Sequence, residues 1–288
     1  MLPLICLAST SISLLSLPLL YRHRILLKPR QDTLSVPQVP YKDVTIPYIP
    51  DNSSSLIIDN NGRYKQLAAW VIRPDAKRFI MVCCGNGGNK SYHLHIVNLL
   101  LKTFPDHGIF IFDYEGYGDS YQDDGATFDG LINSAETALD YVRQLSTEPL
   151  ILFGTSMGSG VVCSLLHLLQ PCDKVIIQNG FPSISQLIKH YLPQPMRALY
   201  PLFFRNTFNN VQAIEQRNEE GGCPRICAIH CHSDEIIPFE LGKQLGGHCA
   251  LFLPIKGSHN QFEYDEATIS ALRQFTKMKA KTVTFHDD

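Results

Sequence analysis

Short apolar runs alternate along the chain with longer segments in which apolar residues recur at helical spacing. The apolar runs predict buried strands at 79–84, 108–113, 150–153, 174–179, 225–229 and 250–255. The intervening segments predict helices at 90–103, 127–145, 157–169, 239–246 and 263–279. This alternation is typical of an α/β fold, a mostly parallel sheet with helices on both faces. Residues 41–48 and 64–73 predict two more strands, antiparallel, at the front edge of the sheet.

Length and composition fit one globular domain that does not bind nucleic acid. The chain has 288 residues, a net charge of −2, and 18% charged residues. A chain of this length can bury a sizeable core in one domain. Because the sequence has neither basic runs nor basic residues interleaved with aromatic ones, we expect no nucleic-acid partner.

The pentapeptide Gly154-Thr155-Ser156-Met157-Gly158 lies between a predicted strand and a predicted helix. A G-x-S-x-G sequence in that position is typical of a nucleophile elbow, a sharp turn that exposes the serine at the top of a sheet. Glycine suits both ends because larger residues there would clash with the neighbouring strand and helix. About 0.1 such matches are expected by chance in a chain of this length, so other residues must support it. The pentapeptide predicts covalent acyl transfer through Ser156.

A candidate acid and a candidate base follow the serine in the order Ser, Asp, His. Asp234 lies in the loop beyond the predicted strand at 225–229, where parallel sheets place functional groups, and Glu235 is the second-ranked carboxylate. His259 follows the last predicted strand, and its imidazole can accept the serine proton and return it. Asp234 would fix the imidazole tautomer and stabilise the imidazolium. The alternative role of Asp234 is to cap the next helix.

A glycine-rich loop, Gly85-Asn86-Gly87-Gly88-Asn89, follows the predicted strand at 79–84. Glycines let backbone N–H groups approach a ligand closely. The N–H groups of Asn86 and Met157 predict an oxyanion hole, each donor worth about 3 kcal/mol of barrier. Phosphate binding is the alternative. The loop, however, matches neither G-x-x-x-x-G-K-[ST] nor a G-x-G-x-x-G that opens a helix.

The segment 181–222 is less regular than the rest and carries several prolines with aromatic residues between them. It lies between the predicted strand at 174–179 and the strand that leads to Asp234. We therefore expect a short lid over the site, in which Phe203 and Phe204 line an acyl pocket. The alternative is ordinary packing of helices on the sheet.

Taken together, these features resemble the α/β-hydrolase superfamily over about residues 40–280. Within it, the chain is most similar to the small-lid branch of membrane-attached acyl-protein thioesterases and bacterial serine peptidase-like hydrolases. The resemblance rests on 84–89, 112–120, 154–158 and the two loops with the acid and the base. It implies Ser156 as nucleophile, Asp234 as acid and His259 as base. It also implies the backbone amides of Asn86 and Met157 as oxyanion donors.

Two positions depart from the pattern of that family. Cys84 stands where the family often has a histidine before the oxyanion glycine, and Glu115 stands where it has an arginine. Since the oxyanion donors are backbone groups, we expect Cys84 to alter loop packing more than chemistry. Glu115 reverses a charge near the loops, and we expect it to alter substrate preference.

Residues 2–20 contain no charged side chain, and basic residues follow at 22, 24, 28 and 30. A helix of that length nearly spans the hydrocarbon core of a bilayer. The basic flank places its C-terminal side in the cytoplasm. We therefore expect residues 1–30 to form a membrane anchor with its flank and 31–288 a cytoplasm-facing hydrolase domain. A cleaved signal peptide and secretion are the alternative, although no Lys or Arg precedes the apolar run.

The nine cysteines are an odd number, and several lie in predicted buried elements, which fits free thiols in a reducing compartment. The candidate zinc ligands are Cys223, Cys227, Cys231, His230 and His232, together with the pair His93 and His95. Four-residue spacing along a strand does not bring side chains together, and neither set resembles a closed zinc pattern. We expect no metal and no cofactor.

These residues predict a serine hydrolase that cleaves an ester or thioester of an acyl or lipid-type substrate through an acyl-enzyme intermediate. Two alternatives stay open. An amidase or serine peptidase uses the same triad, and nothing in the sequence reports the leaving group. A catalytically silent protein with this fold, which binds a partner or a lipid, is the other alternative, because fold alone does not establish function.

Overall fold

The computed structural model describes residues 27–48, 65–122, 125–192, 208–220 and 224–278. The strands in these residues are β1 (Lys28–Pro29), β2 (Tyr41–Pro47), β3 (Gln66–Ile72), β4 (Arg78–Cys83), β5 (Gly87–Gly88), β6 (His107–Phe112), β7 (Ile151–Thr155), β8 (Lys174–Gln178), β9 (Arg225–Cys231) and β10 (Leu251–Ile255). The α-helices are α1 (Leu94–Thr103), α2 (Phe128–Leu145), α3 (Met157–Ser164), α4 (Ile184–Tyr191), α5 (Asn210–Glu219), α6 (Phe239–Gly246) and α7 (Glu266–Lys277).

Eight of these strands form one sheet in the order β10-β9-β8-β7-β4-β6-β3-β2. Neighbouring strands in the series β10-β9-β8-β7-β4-β6 all run parallel to each other. Strand β3 pairs antiparallel with both β6 and β2. The central strands are buried along almost their whole length, as expected of parallel strands covered on both faces. This architecture confirms the predicted fold class, including the two antiparallel strands at the front edge.

The helices form two groups that cover the two faces of the sheet. Helix α1 contacts β6 and α7, while α3 contacts β7, α2 and α5. Helix α1 turns Ile96, Val97 and Leu100 inward at the spacing of one helical face. Burial of these apolar faces against the sheet supplies the main stabilisation of such layered folds.

Two helices differ in extent from the sequence prediction. The one expected at 90–103 begins as a 3₁₀ turn, because the Asn89 side chain accepts a hydrogen bond from the Ser91 N–H. The one expected at 157–169 ends at Ser164 and continues as a short 3₁₀ turn, Leu166–Leu168. Such turns are frequent at helix ends, where backbone groups lack intrahelical partners.

The expected lid segment contains two helices that the sequence pattern did not reveal. Helix α4 begins where the Ser183 side chain accepts a hydrogen bond from the Gln186 N–H, and α5 begins in the same way at Asn209. Phe203 and Phe204 lie outside the described residues, so the acyl-pocket lid stays a prediction. The apolar N-terminal residues 2–20 also lie outside them. Among the helices that are described, none has the length and apolar character to cross a bilayer.

A buried ion pair joins the 3₁₀ turn before α1 to the loop that follows β6. The Lys90 ammonium lies 2.6 Å from Asp113 Oδ2 and 3.1 Å from Asp119 Oδ2. Asp113 also accepts a hydrogen bond from the Lys90 backbone N–H at 2.7 Å. Gly118 has a φ of +49°, and a Cβ there would lie 2.1 Å from Asp113 Oδ2, so only glycine fits. This pair holds the glycine-rich loop beside the loop that follows β6.

Candidate active site

Ser156 occupies a strained turn between β7 and α3. Its φ of 52° and ψ of −117° lie in a region that residues with a side chain rarely adopt, at a cost of about 1–3 kcal/mol. The two glycines of the pentapeptide permit this turn. A Cβ on Gly158 would lie 2.1 Å from the Cys83 carbonyl oxygen, and one on Gly154 would lie 2.5 Å from the Gly158 oxygen. The turn therefore requires glycine at both ends, as the sequence indicated.

Asp234 and His259 form a buried pair in the loops after β9 and β10. His259 Nδ1 lies 2.9 and 2.8 Å from the two Asp234 carboxylate oxygens. Asp234 Oδ1 also accepts hydrogen bonds from the backbone N–H groups of Ile236 and Ile237. Burial raises the pKa of Asp234, but the bonds from His259 and Ile237 outweigh it and leave the pKa below its ordinary value. A charged Asp234 selects the tautomer of His259 that carries hydrogen on Nδ1.

Glu235, the second-ranked carboxylate, does not contact the imidazole through its side chain. Its Oε2 accepts a hydrogen bond from the His259 backbone N–H at 3.0 Å. The Tyr191 hydroxyl of α4 donates to the backbone oxygen of Ile236 at 2.6 Å. Glu235 thus holds the backbone of the histidine loop, while Asp234 meets the ring. The two neighbouring carboxylates thus have different partners, and the one that the sequence ranked first is the one at the ring.

The candidate zinc ligands that lie in the described residues do not converge. No group of three or more His, Cys, Asp or Glu residues in the described ranges is arranged to hold a metal ion, and Cys223 lies outside those ranges. His230 is instead buried behind the acid, with Nε2 2.8 Å from the Ile237 oxygen and 3.5 Å from Asp234 Oδ2. Burial lowers the pKa of His230 below its ordinary value, which keeps the ring neutral near pH 7.

The glycine-rich loop lies directly against the serine. A Cβ on Gly85 would make ordinary van der Waals contact with Ser156 Cβ, at 3.5 Å. The backbone of Asn86 is held through its carbonyl oxygen, which accepts a hydrogen bond from the Tyr117 hydroxyl at 3.2 Å. Met157 is the first residue of α3, where backbone N–H groups have no partner within the helix. The structure therefore places Gly85, the residue before Asn86, against Ser156, and Met157 directly follows that serine. The oxyanion role of Asn86 and Met157 stays a prediction.

The two departures from the family pattern are both buried. Cys84 packs in the core, and its backbone oxygen accepts a hydrogen bond from the Tyr114 hydroxyl at 3.1 Å. Glu115 accepts a hydrogen bond from the Tyr48 hydroxyl at 2.9 Å, beside Gly130 at the start of α2. A carboxylate is favourable at a helix N-terminus because the helix dipole is positive there. The expected effect of Glu115 on substrate preference stays a prediction.

Gln178 and Asn179 join the three loops of the site, and sequence reasoning missed both. The Gln178 backbone oxygen accepts a hydrogen bond from the Ser156 N–H at 3.0 Å. Asn179 Nδ2 donates to the His259 oxygen at 3.0 Å, and its Oδ1 accepts from the Cys231 N–H at 2.9 Å. Asn179 is fully buried with a φ of 50°. An asparagine at the end of a strand, where asparagine tolerates positive φ, was the only signal available.

Ser156 Oγ donates no hydrogen bond to His259 in the described part of the chain; the His259 ring is bonded on its Nδ1 side. Catalytic hydrogen bonds are often long or poorly aligned before a substrate binds. The arrangement can nevertheless perform nucleophilic chemistry, because a serine, a fixed imidazole and backbone N–H donors meet at one edge of the sheet.

Comparisons with known proteins agree with this fold. The model of the Hydrolase_4 family, described as serine aminopeptidase S33, matches residues 74–223, more than half of the chain. The lysophosphatidylserine lipase ABHD12 of Danio rerio is 25% identical over 62% of this chain and 52% of its own length. The uncharacterized membrane protein YNL320W of Saccharomyces cerevisiae is 28% identical over 73% of this chain and 75% of its own. The chain thus spans about half the length of the lysophosphatidylserine lipases that it matches.

Solved structures share the fold at low sequence identity. The esterase Pf2001 of Pyrococcus furiosus superposes with a TM-score of 0.62 at 14% identity, covering 88% of this chain and 97% of that one. A protein described as a putative hydrolase of Agrobacterium vitis superposes with a TM-score of 0.53 at 17% identity. The match covers 84% of this chain and 100% of that one. These likenesses show the α/β-hydrolase fold.

Asp234 and Glu235 bond to different groups of His259, so substituting them should affect activity to different extents. We expect Asp234→Asn to lower kcat about 10⁴-fold, because an amide does not select the reactive tautomer of His259. Glu235→Gln keeps an oxygen that accepts from the His259 N–H, so kcat should fall less than about tenfold. Steady-state turnover of a p-nitrophenyl ester measures both. Equal losses in the two variants would show that Asp234 has no special role.

Asn179→Gly removes the carboxamide without straining the positive φ. We expect the free energy of unfolding to fall by about 1–3 kcal/mol, since the Cys231 N–H and the His259 oxygen lose their partner. Activity should fall as well, because the histidine loop loosens. Asn179→Ala is the matched control and should be about 1 kcal/mol less stable than Asn179→Gly, because alanine resists positive φ. Urea unfolding distinguishes them; a glycine variant as stable as wild type would contradict this role.

Proposed function

We propose that this chain, which belongs to the serine aminopeptidase S33 family of α/β-hydrolases, hydrolyses an ester or thioester of an acyl or lipid-type substrate. The observation that carries the proposal is the buried Asp234–His259 pair, at hydrogen-bond distance, in loops that are tied to the strained turn of Ser156. Relatives described as a lysophosphatidylserine lipase and an esterase support an ester substrate. Their activities belong to those proteins and motivate the proposal here.

In the proposed reaction, Ser156 Oγ attacks the carbonyl carbon while His259 Nε2 takes the hydroxyl proton. Asp234 holds Nδ1 and so leaves Nε2 as the ring nitrogen that accepts this proton. The bond to the alcohol or thiol then breaks, and the leaving group receives the proton from His259. Water, activated by the same imidazole, attacks the acyl-enzyme and releases the carboxylic acid.

Two groups of residues supply the rate enhancement in this mechanism. The imidazole, as general base and then general acid, contributes about 10²–10⁴-fold. The backbone N–H groups of Asn86 and Met157 stabilise the negative charge on the tetrahedral oxygen, each by about 3 kcal/mol. Because the helix that begins at Met157 directs its positive end to the same place, the dipole adds to this stabilisation.

We also propose that residues 2–20 attach the chain to a membrane with the hydrolase domain in the cytoplasm. The support is the uncharged apolar stretch followed by basic residues. A lipid substrate would then be present at the surface where the enzyme resides. The description of the yeast relative as a membrane protein agrees with this proposal.

A fluorophosphonate probe and a substrate series test the chemistry. We expect the probe to label wild type and not Ser156→Ala, because the probe phosphonylates an activated serine. A chain-length series of p-nitrophenyl esters and acyl-thioesters, run beside peptide p-nitroanilides, reports the leaving group. Wild type should turn over the first two classes at least 10²-fold faster than Ser156→Ala. A folded wild type without labelling would refute a serine hydrolase, and faster anilide cleavage would indicate an amidase or peptidase.

Carbonate extraction of cells that express the full chain tests the anchor. We expect the chain to stay in the membrane pellet with Met1 intact, because an apolar helix of this length nearly spans the hydrocarbon core. Replacing two central leucines, Leu14 and Leu15, with Lys should move the chain to the supernatant, since charges are costly within the bilayer. A wild-type chain that is extracted, or that lacks its N-terminus, would contradict the anchor.

A further inference from the structure

The glycine-rich loop of the active site is held from outside by the first residues that the structure describes. We name Leu27–Asp32 the N-terminal strap. We propose that the strap positions the backbone N–H of Asn86 for the oxyanion, chiefly through the hydrogen bond from the Lys28 N–H to Asn86 Oδ1. The proposal rests on the proposed function, because it concerns the oxyanion hole of that reaction.

The strap and the glycine-rich loop form a small sheet of their own. Strand β1 pairs in parallel with β5, with Lys28 opposite Gly87 and Pro29 opposite Gly88. The Lys28 N–H donates to Asn86 Oδ1 at 3.0 Å, and the Arg30 N–H donates to the Gly88 oxygen at 3.2 Å. These bonds lie on both sides of the β1–β5 pair. The strap therefore bonds to the glycine-rich loop at Asn86, the residue expected to donate to the oxyanion.

The strap is itself fixed at both ends. Leu27 is 3% exposed and belongs to the hydrophobic core, although the residues that follow it are exposed. At the other end, Asn89 Nδ2 donates to the backbone oxygens of Arg30 and Asp32, at 3.0 and 2.8 Å. The Gly118 N–H donates to the Arg30 oxygen at 2.9 Å. The strap thus ties the glycine-rich loop to the loop that follows β6.

This support explains why the oxyanion position carries an asparagine. The proposed chemistry uses only the backbone N–H of Asn86, so any residue except proline would supply it. The side-chain oxygen of Asn86 instead accepts from Lys28, and it also lies 3.4 Å from the Tyr117 hydroxyl. A loop with glycines at 85, 87 and 88 has little stiffness of its own. Because an oxyanion hole works by being preorganised, external hydrogen bonds to such a loop act on kcat.

The strap lies between the predicted membrane anchor and the hydrolase domain. The boundary predicted at residue 30 assigns most of the strap to the basic flank of the anchor. Strand β1 lies on the N-terminal side of that boundary and pairs with the glycine-rich loop. The segment that follows the apolar stretch therefore supports the catalytic loop.

The test compares two variants of Lys28 in the full chain. Lys28→Pro removes the backbone N–H that donates to Asn86, whereas Lys28→Ala keeps it and removes only the exposed side chain. We expect kcat of Lys28→Pro to lie about tenfold below that of Lys28→Ala, with KM within about twofold, because one hydrogen bond is lost. Equal kcat values in the two variants would overturn the proposal.

A double-mutant cycle shows whether Lys28 and Asn86 act on kcat through their shared hydrogen bond. Asn86→Ala removes the acceptor but keeps the backbone N–H, so it should lower kcat about tenfold like Lys28→Pro. The double variant should also lose about tenfold and no more, because both changes break the same hydrogen bond. A loss of about a hundredfold in the double variant would mean that the two residues act independently and would refute the strap.

Hydrogen exchange decides the proposal independently of turnover. Amides of the peptide 84–92 should exchange faster in Lys28→Pro than in Lys28→Ala, because the loop loses its external bond. Equal exchange in that peptide would refute the strap, whether or not the enzyme is active. If wild type itself turns over no substrate in the series, the proposed function fails, while the exchange difference still reports whether the strap holds the loop.

Discussion

The buried hydrogen bonds at the carboxyl end of β8 are the constraint on which the site depends. The Gln178 oxygen holds the Ser156 N–H, and the Asn179 side chain joins the end of β9 to the histidine loop. Gln178 Nε2 donates to Asn179 Oδ1 at 2.8 Å, and the Tyr264 hydroxyl donates to Gln178 Oε1 at 2.8 Å. A buried amide without partners would be costly, so this network tolerates only one arrangement of the loops.

Strand order explains why β8 holds this central position. In the sheet, β8 lies between β7, which ends at the serine, and β9, which leads to the acid. Strand β4, which leads to the glycine-rich loop, is the other neighbour of β7. Since neighbouring parallel strands end at the same edge, the loops after β4, β7 and β9 meet there without long excursions. The histidine loop joins them from β10, the strand next to β9.

At the same edge of the sheet, residues outside the glycine-rich loop hold it in place. Lys90 pairs with Asp113 beneath the loop, and the N-terminal strap bonds to it from outside. A glycine-rich loop can approach the serine closely because it has few side chains, and for the same reason it needs supports from elsewhere. Lys90 follows the loop directly, but its partner Asp113 lies 23 residues further along the chain. Lys28 of the strap lies 58 residues before Asn86.

The regular elements followed from the sequence because their signals are local. Apolar runs predicted the central strands to within about two residues, and helical spacing predicted α1, α2, α3, α6 and α7. Helices α4 and α5 were missed for a physical reason. Each is short and begins with a polar cap, and each buries few residues, Ile184 in α4 and chiefly Ile214 in α5. Such helices depend on packing and capping more than on periodicity.

The sequence alone determined which reactive groups are present. They are a serine in a G-x-S-x-G turn, a carboxylate and a histidine that follow it in that order, and a glycine-rich loop. These follow from steric and chemical demands within a few neighbouring positions. The sequence ranked Asp234 ahead of Glu235, and the tertiary structure supplied the contacts that separate these adjacent carboxylates: Asp234 meets the imidazole and Glu235 the backbone of His259. The tertiary structure alone placed Asn179 and the strap, since hydrogen bonds across 58 or 80 residues depend on which strands become neighbours.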